Sequence, residues 1–195
     1  MKTGPLILAS ASPRRKSILE RLGYAFEVVP ADVEETVDGR FTPEENAERL
    51  ARFKAQSVAG RLDHATVIGC DTLVAVGNRI VGKPADEKEA REILSFLSGK
   101  TQRVISGLCL IDPDRKAALT GHDVTLVYTR PMTMQEIDEY IETGECFGKA
   151  GAYAIQETGD RFIDRLEGSF DNVVGFPSEL FHTFMEQLSR RESDD

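Results

Sequence analysis

The run Thr66-Val67-Ile68-Gly69-Cys70-Asp71-Thr72-Leu73-Val74-Ala75-Val76 constrains the fold more than any other part of the chain. It is almost continuously apolar, broken only by Asp71 and Thr72, and a strand of that kind is buried on both faces, as in sheets covered by helices. Around it the periodicity predicts strands near 5–10, 25–30, 79–82, 102–111 and 116–128, with the apolar run itself at 66–76. Helices are predicted near 13–22, 43–61, 86–97, 133–143 and 177–189. The expected fold is α/β, a mixed twisted sheet with flanking helices. Three helix starts carry capping chemistry: Thr42-Pro43-Glu44-Glu45, Asp86-Glu87-Lys88-Glu89 and Thr133-Met134-Gln135-Glu136. The turn Asp112-Pro113-Asp114-Arg115 joins the two long strands into an extended hairpin, a suitable floor for a cleft. The charged tail from Arg190 to Asp195 reads as frayed.

A length of 195 residues allows one full domain, or two small lobes sharing a cleft. No apolar run approaches the roughly 20 residues that span a bilayer. The start Met1-Lys2-Thr3-Gly4-Pro5 leads into too short an apolar stretch for a secretory signal, so a cytoplasmic protein is expected. A formal charge of −9 and a pI near 5.0 argue against binding long nucleic acid. A small phosphorylated ligand needs only a local basic pocket and stays compatible. Cys70, Cys109 and Cys146 are odd in number and lack zinc or redox spacing, so they read as reduced thiols. His64, His122 and His182 are scattered and read as structural or surface residues. A homodimer is an open option for the chain's assembly.

Four places carry polar chemistry that the folding pattern does not need. In Leu6-Ile7-Leu8-Ala9-Ser10-Ala11-Ser12-Pro13-Arg14-Arg15 a short strand runs into hydroxyls, a helix-starting proline and two guanidinium groups. Ser12 suits the cap and Pro13 the first helical position, so first-turn amides beside Arg14 and Arg15 form an anion cradle. An ordinary strand-to-helix turn with solvated arginines is the plainer alternative. In the helix at 43–61, Lys54 interrupts the apolar stripe of Ala47, Leu50, Ala51 and Val58. Either its stem snorkels to water or its ammonium meets an anionic ligand at a cavity. Asp71 in its apolar strand requires a cation, a metal or an enforced set of hydrogen bonds. Lys83, in Val81-Gly82-Lys83-Pro84 after a short return strand, is a candidate partner, and a purely structural ion pair of the two is an open alternative. Glu34 and Glu35 close the second strand segment. They read as a solvated acidic loop or, together with Asp71, as hard oxygen ligands for a phosphate-bound divalent ion.

Two glycine-marked runs follow in the last third. Gly148-Lys149-Ala150-Gly151-Ala152-Tyr153-Ala154-Ile155-Gln156 lets backbone approach a ligand closely and ends in an amide that both donates and accepts, as uracil-type and thymine-type edges do. Gly168-Ser169-Phe170-Asp171-Asn172-Val173-Val174-Gly175-Phe176-Pro177 reads as a loop followed by a helix start.

Taken together, Leu8 to Arg15, Lys54, Cys70-Asp71-Thr72, Gly82-Lys83-Pro84, Gly148 to Gln156 and Gly168-Ser169 resemble the Maf family of nucleoside triphosphate pyrophosphatases over nearly the whole chain. The resemblance implies a fold like that of inosine triphosphate pyrophosphatases, with two lobes around a central cleft. It also implies cleavage of a nucleoside triphosphate to the monophosphate and pyrophosphate. Arg14, Thr72 and Gln156 together look like the branch acting on dTTP and UTP, whereas a sister branch prefers methylated guanine nucleotides. Glu35 aligns best with the family's acidic-loop carboxylate, with Glu34 the adjacent alternative. The expected roles are Ser10, Arg14, Arg15, Lys54 and Lys83 on the triphosphate, and Glu35 with Asp71 on Mg²⁺ or Mn²⁺. Asp71 is the expected general base, with Thr72 and Gln156 selecting the base. The competing class is a nucleotide-binding regulator of cell division without turnover, since family members are also associated with arrested division.

Overall fold

Strand β1 (Leu6–Leu8) lies between two parallel neighbours, β2 (Phe26–Val28) and β3 (Thr66–Val76), with Leu6 opposite both Phe26 and Thr66. The computed structural model describes residues 5–114, 116–156 and 158–191. The sheet runs in the order β2-β1-β3-β5-β6-β7, with β5 at Thr101–Asp112, β6 at Ala117–Thr129 and β7 at Ile163–Glu167. The short β4 (Arg79–Val81) pairs antiparallel with the far end of β3, and β6 pairs antiparallel with β7. This is the expected mixed α/β sheet with helices packed on it.

The helices are α1 (Pro13–Arg21), α2 (Pro43–Ala59), α3 (Glu87–Leu97), α4 (Met134–Glu142), α5 (Phe170–Val174) and α6 (Ser178–Arg191). Local chemistry fixes their starts. Ser12 caps α1 with Pro13 at its first position, Asp86 caps α3, and Thr42 and Thr133 form reciprocal capping boxes with Glu45 and Glu136. Helix α6 continues through Arg190 and Arg191, where a frayed tail was expected; the remainder of that tail lies outside the described residues, as does Arg115 of the hairpin turn. The run Gly168–Pro177 is also corrected, because it contains α5 rather than loop alone. Five residues are too few for a 3.6-residue period to stand out in sequence.

The chain forms two compact units, and it passes from one to the other inside β3, between Asp71 and Thr72. The first holds residues up to Asp71, Ser106–Asp123 and Gly175 onward. Its core joins Ile7, Ala9, Ala51, Ala55, Val58, Val67 and Cys109. Phe181 adds edge-on ring contacts with Tyr24 and Phe176 at 5.0 and 5.3 Å. The second holds Thr72–Ile105 and Val124–Val174, built on Val74, Leu94, Leu97, Val127, Ile137, Tyr140 and Phe162.

Candidate active site

Helix α2 rests directly on the backbone of β3 and β5, and two glycines permit it. A Cβ at Gly69 would overlap the Ala51 carbonyl oxygen and lie 2.6 Å from the Ala55 nitrogen, and one at Gly107 would overlap the Ala47 carbonyl. Residues two apart on a strand share a face, so Asp71 follows Gly69 onto the side covered by α2. There it meets Lys54, whose position in the helix falls between Ala51 and Ala55. Lys54 Nζ donates to Asp71 Oδ1 at 2.5 Å and sits 2.6 Å from Glu35 Oε1. The Lys54 and Asp71 side chains are only 8% and 7% exposed, whereas Glu35 is 42% exposed.

One ammonium therefore bridges two carboxylates, one buried and one open to solvent. Snorkelling does not account for Lys54, since its charged end stops on carboxylates rather than in water. The return strand expected after β3 does form, as β4, with Lys83 exposed beyond it, and Lys54 of α2 supplies a cation to Asp71. In the acidic loop, Glu35 is the residue beside Lys54, while Glu34 accepts from the Thr36 hydroxyl at 2.9 Å.

A second cluster forms where β1 ends. The parallel register puts Leu8 opposite Ile68, so Ser10 leaves the strand level with Cys70. Arg15 spans two acceptors: one terminal nitrogen donates to Ser10 Oγ at 3.0 Å and Nε donates to the Gly175 carbonyl at 2.9 Å. The Cys70 thiol donates to that same carbonyl at 3.3 Å. Burial pushes the Cys70 thiol up, more than the nearby Arg15 and Lys54 charges lower it, so it stays protonated and able to donate. Gly175 holds φ at +123°, a conformation that side-chain-bearing residues rarely adopt. Arg14 is half-buried in the same first turn of α1.

Thr72, Lys83 and Gln156 belong to the second unit. Thr72 is half-buried directly after Asp71, and Gln156 is exposed in a turn. The Gly151 amide donates to the Gly82 carbonyl at 3.0 Å, which ties the segment carrying Gln156 to the turn carrying Lys83. Gly148 and Gly151 have φ of +72° and +77°, which explains their placement in that segment.

Two carboxylate oxygens converging on one cationic centre are the donors a Mg²⁺-class ion uses, since it takes one or two carboxylates and fills its shell with waters and phosphate oxygens. Glu35 and Asp71 fit that requirement, with Glu35 open to water. Among the described residues no group of three His, Cys, Asp or Glu side chains is placed to hold a metal.

The chain matches the family described as Maf-like protein over residues 5–188. It belongs to the Maf family. It is 40% identical over 187 residues to a dTTP/UTP pyrophosphatase of Ruminiclostridium cellulolyticum, covering 95% of this chain and 97% of that protein. It is 45% identical over 185 residues to the protein of that name from Aquifex aeolicus, covering 94% and 95% of the two chains. With the one from Thermococcus gammatolerans it shares 47% identity over 175 residues, or 90% and 92% of the respective lengths. Membership gives the separated motifs a common reason. No described helix is long and apolar enough to cross a membrane.

Gly69, Gly107 and Gly175 shape the candidate site of this Maf protein, and residue-type reasoning passed over them. Gly69 did carry a signal, because an isolated glycine within an apolar strand marks close backbone approach. Gly175 carried none, since its contribution is a carbonyl rather than a side chain.

Proposed function

We propose that this protein hydrolyses dTTP and UTP to the nucleoside monophosphate and pyrophosphate. The observation that supports this reading best is the buried Asp71 carboxylate held by Lys54 beside Glu35, in a Maf chain whose relatives bear the dTTP/UTP pyrophosphatase name.

Phosphoanhydride cleavage needs positioning and charge stabilisation more than covalent chemistry. Ser10, Arg14 and Arg15 gather at the end of β1 and the start of α1, where the positive end of the helix dipole favours anions, and they take the phosphate chain. Arg15 is orientated before any ligand arrives, because the Gly175 carbonyl and Ser10 fix its guanidinium plane. Lys54 offers the triphosphate a cation whose desolvation is already offset by two carboxylates. Lys83 is assigned to the departing pyrophosphate. Asp71 accepts the proton of the attacking water.

Glu35 and Asp71 are the residues that would hold Mg²⁺ or Mn²⁺, which when bound supplies charge neutralisation at the phosphates and a more acidic water. Thr72 and Gln156 select the base, since an amide with both donor and acceptor penalises an edge that leaves it unpaired. The negative exterior suits a free nucleotide rather than long nucleic acid, and the reaction is assigned to the cytoplasm.

A panel of dTTP, UTP, CTP, ATP and methylated GTP, with pyrophosphate detection and with or without divalent metal, tests the reading. Metal-dependent release from dTTP and UTP ahead of the others is expected. Preference for methylated GTP would place the chain in the sister branch, and tight binding without product would make it a regulator.

A further inference from the structure

We infer that Tyr140 is a positioning residue for base selection, because its buried hydroxyl holds the turn that carries Gln156. Tyr140 lies on α4 and is fully buried, its ring packed edge-on against Phe162 with centroids 5.3 Å apart and planes at 90°. That packing fixes where the hydroxyl points. The Ala154 backbone amide donates to Tyr140 Oη at 3.3 Å, two residues before Gln156.

Described residues before and after the turn hold the backbone near this contact. Ala152 sits at φ +58°, a strained conformation for a residue with a side chain, and such strain persists only where surrounding contacts enforce it. On the side before the turn, Tyr153 is buried and donates its own hydroxyl to Gln102 Oε1 at 3.1 Å. On the side after it, Gly159 is pressed against the same place. A Cβ there would lie 2.6 Å from the Ala154 carbonyl oxygen and 3.0 Å from Tyr140 Oη. Further on, Glu145 accepts from both the amide and the hydroxyl of Thr158, at 3.1 and 2.8 Å. The exposed Gln156 thus projects from a turn whose base is clamped by a tyrosine hydroxyl that itself touches no solvent.

A side-chain amide discriminates between bases only if its donor and acceptor are held in a fixed orientation, because a mobile amide turns to satisfy either edge. The Tyr140 hydroxyl removes that freedom at the backbone. Its role rests on the reading of Gln156 as the base-selecting residue, and the test separates the two.

The experiment compares kcat/KM for dTTP and CTP in the full-length protein and in Tyr140→Phe, Gln156→Ala and the double variant. Tyr140→Phe keeps the ring and its packing and deletes only the hydroxyl. It is expected to lower the dTTP-to-CTP ratio roughly 3- to 10-fold, the range spanned by one neutral hydrogen bond, chiefly through KM for dTTP. Gln156→Ala is expected to lower the ratio further, with no additional loss in the double variant because both act through one amide. A merely structural tyrosine would lower activity on both nucleotides alike and leave the ratio unchanged. If Gln156→Ala shifts the ratio and Tyr140→Phe does not, the inference is overturned. If Gln156→Ala leaves the ratio unchanged, the assignment of Gln156 fails and the inference falls with it. Should Tyr140→Phe not fold, Gly159→Ala displaces the same turn with the hydroxyl kept, and an unchanged ratio there overturns the inference equally.

Discussion

Lys54 Nζ lies 2.5 Å from Asp71 Oδ1 within the core, and its second partner, Glu35 Oε1, lies 2.6 Å away on the solvent side. The arrangement makes the lysine the counterion of the site. Replacing it by methionine leaves two carboxylates facing each other with one of them buried, so Lys54→Met is expected to lose roughly 3–5 kcal/mol of stability. A divalent cation bound by those carboxylates restores part of that loss through binding to the folded state alone. Urea unfolding of Lys54→Met with and without Mg²⁺ reads both effects. Identical curves would remove Glu35 and Asp71 as metal ligands.

Gly69 sets the distance between the helix carrying Lys54 and the strand carrying Asp71. A methyl group there collides with backbone atoms of Ala51 and Ala55, which cannot turn aside as a side chain can. Gly69→Ala is therefore expected to cost about 3 kcal/mol or more and to lower the melting temperature by at least about 6 °C. Pyrophosphate release should fall in the same variant even where it is still folded, since α2 must move off β3. A wild-type melt would contradict the direct seating of α2 on β3.

Arg15 donates in two directions, to Ser10 and to the Gly175 carbonyl, a geometry that a planar guanidinium makes and a lysine ammonium does not. Arg15→Lys keeps the charge but should raise KM for dTTP roughly tenfold, the loss of about one charge-assisted hydrogen bond. Cys70→Ala removes the weaker donor to Gly175 and should have a much smaller effect. Steady-state kinetics of the two variants test the order, and a larger effect from Cys70→Ala would contradict it.

Acid stability is tied to ion pairs away from the site. The Arg130 guanidinium, followed by the Thr133 amide and hydroxyl, holds the Glu136 carboxyl at about 2, below its ordinary 4.5. Arg40 similarly holds Asp38 at about 2 rather than 3.8. Both groups bind protons more readily in the unfolded chain, so their contribution is complete above the unfolded values and disappears as pH falls towards 2. Glu136→Gln should lower stability above that window, where the ionised carboxylate contributes, and flatten the fall across it. Urea titrations along the acid limb measure it, and a slope as steep as that of the wild type would contradict the assignment.

Much of this architecture is legible from residue order because local chemistry and burial agree. The run 66–76 has one solution, a doubly covered strand, and β3 occupies Thr66–Val76 as expected. The capping residues Thr42, Asp86 and Thr133 mark helix starts since their side chains accept from first-turn amides that lack a carbonyl partner within the helix. The misfit of Lys54 in its stripe and of Asp71 in its strand pointed to one cause, as a buried charge needs its opposite. What sequence could not supply was the seating of α2 on Gly69, which brings Lys54 to Asp71. Strand β7 was missed because its burial pattern, half-buried and exposed positions in Ile163–Glu167, lacks an apolar period. Gly175 and Tyr140 stayed invisible for a different reason. Their contributions are a carbonyl and a hydroxyl that act through backbone positions remote in sequence.

The measurement that bears most directly on the account is pyrophosphate release from dTTP by the wild type and by Asp71→Asn, with thermal melts of both in the presence of nucleotide. The account predicts one pyrophosphate per dTMP in the wild type, and in Asp71→Asn a fall of about 10²–10⁴ in rate with protection by nucleotide retained. Release by Asp71→Asn at the wild-type rate would contradict it.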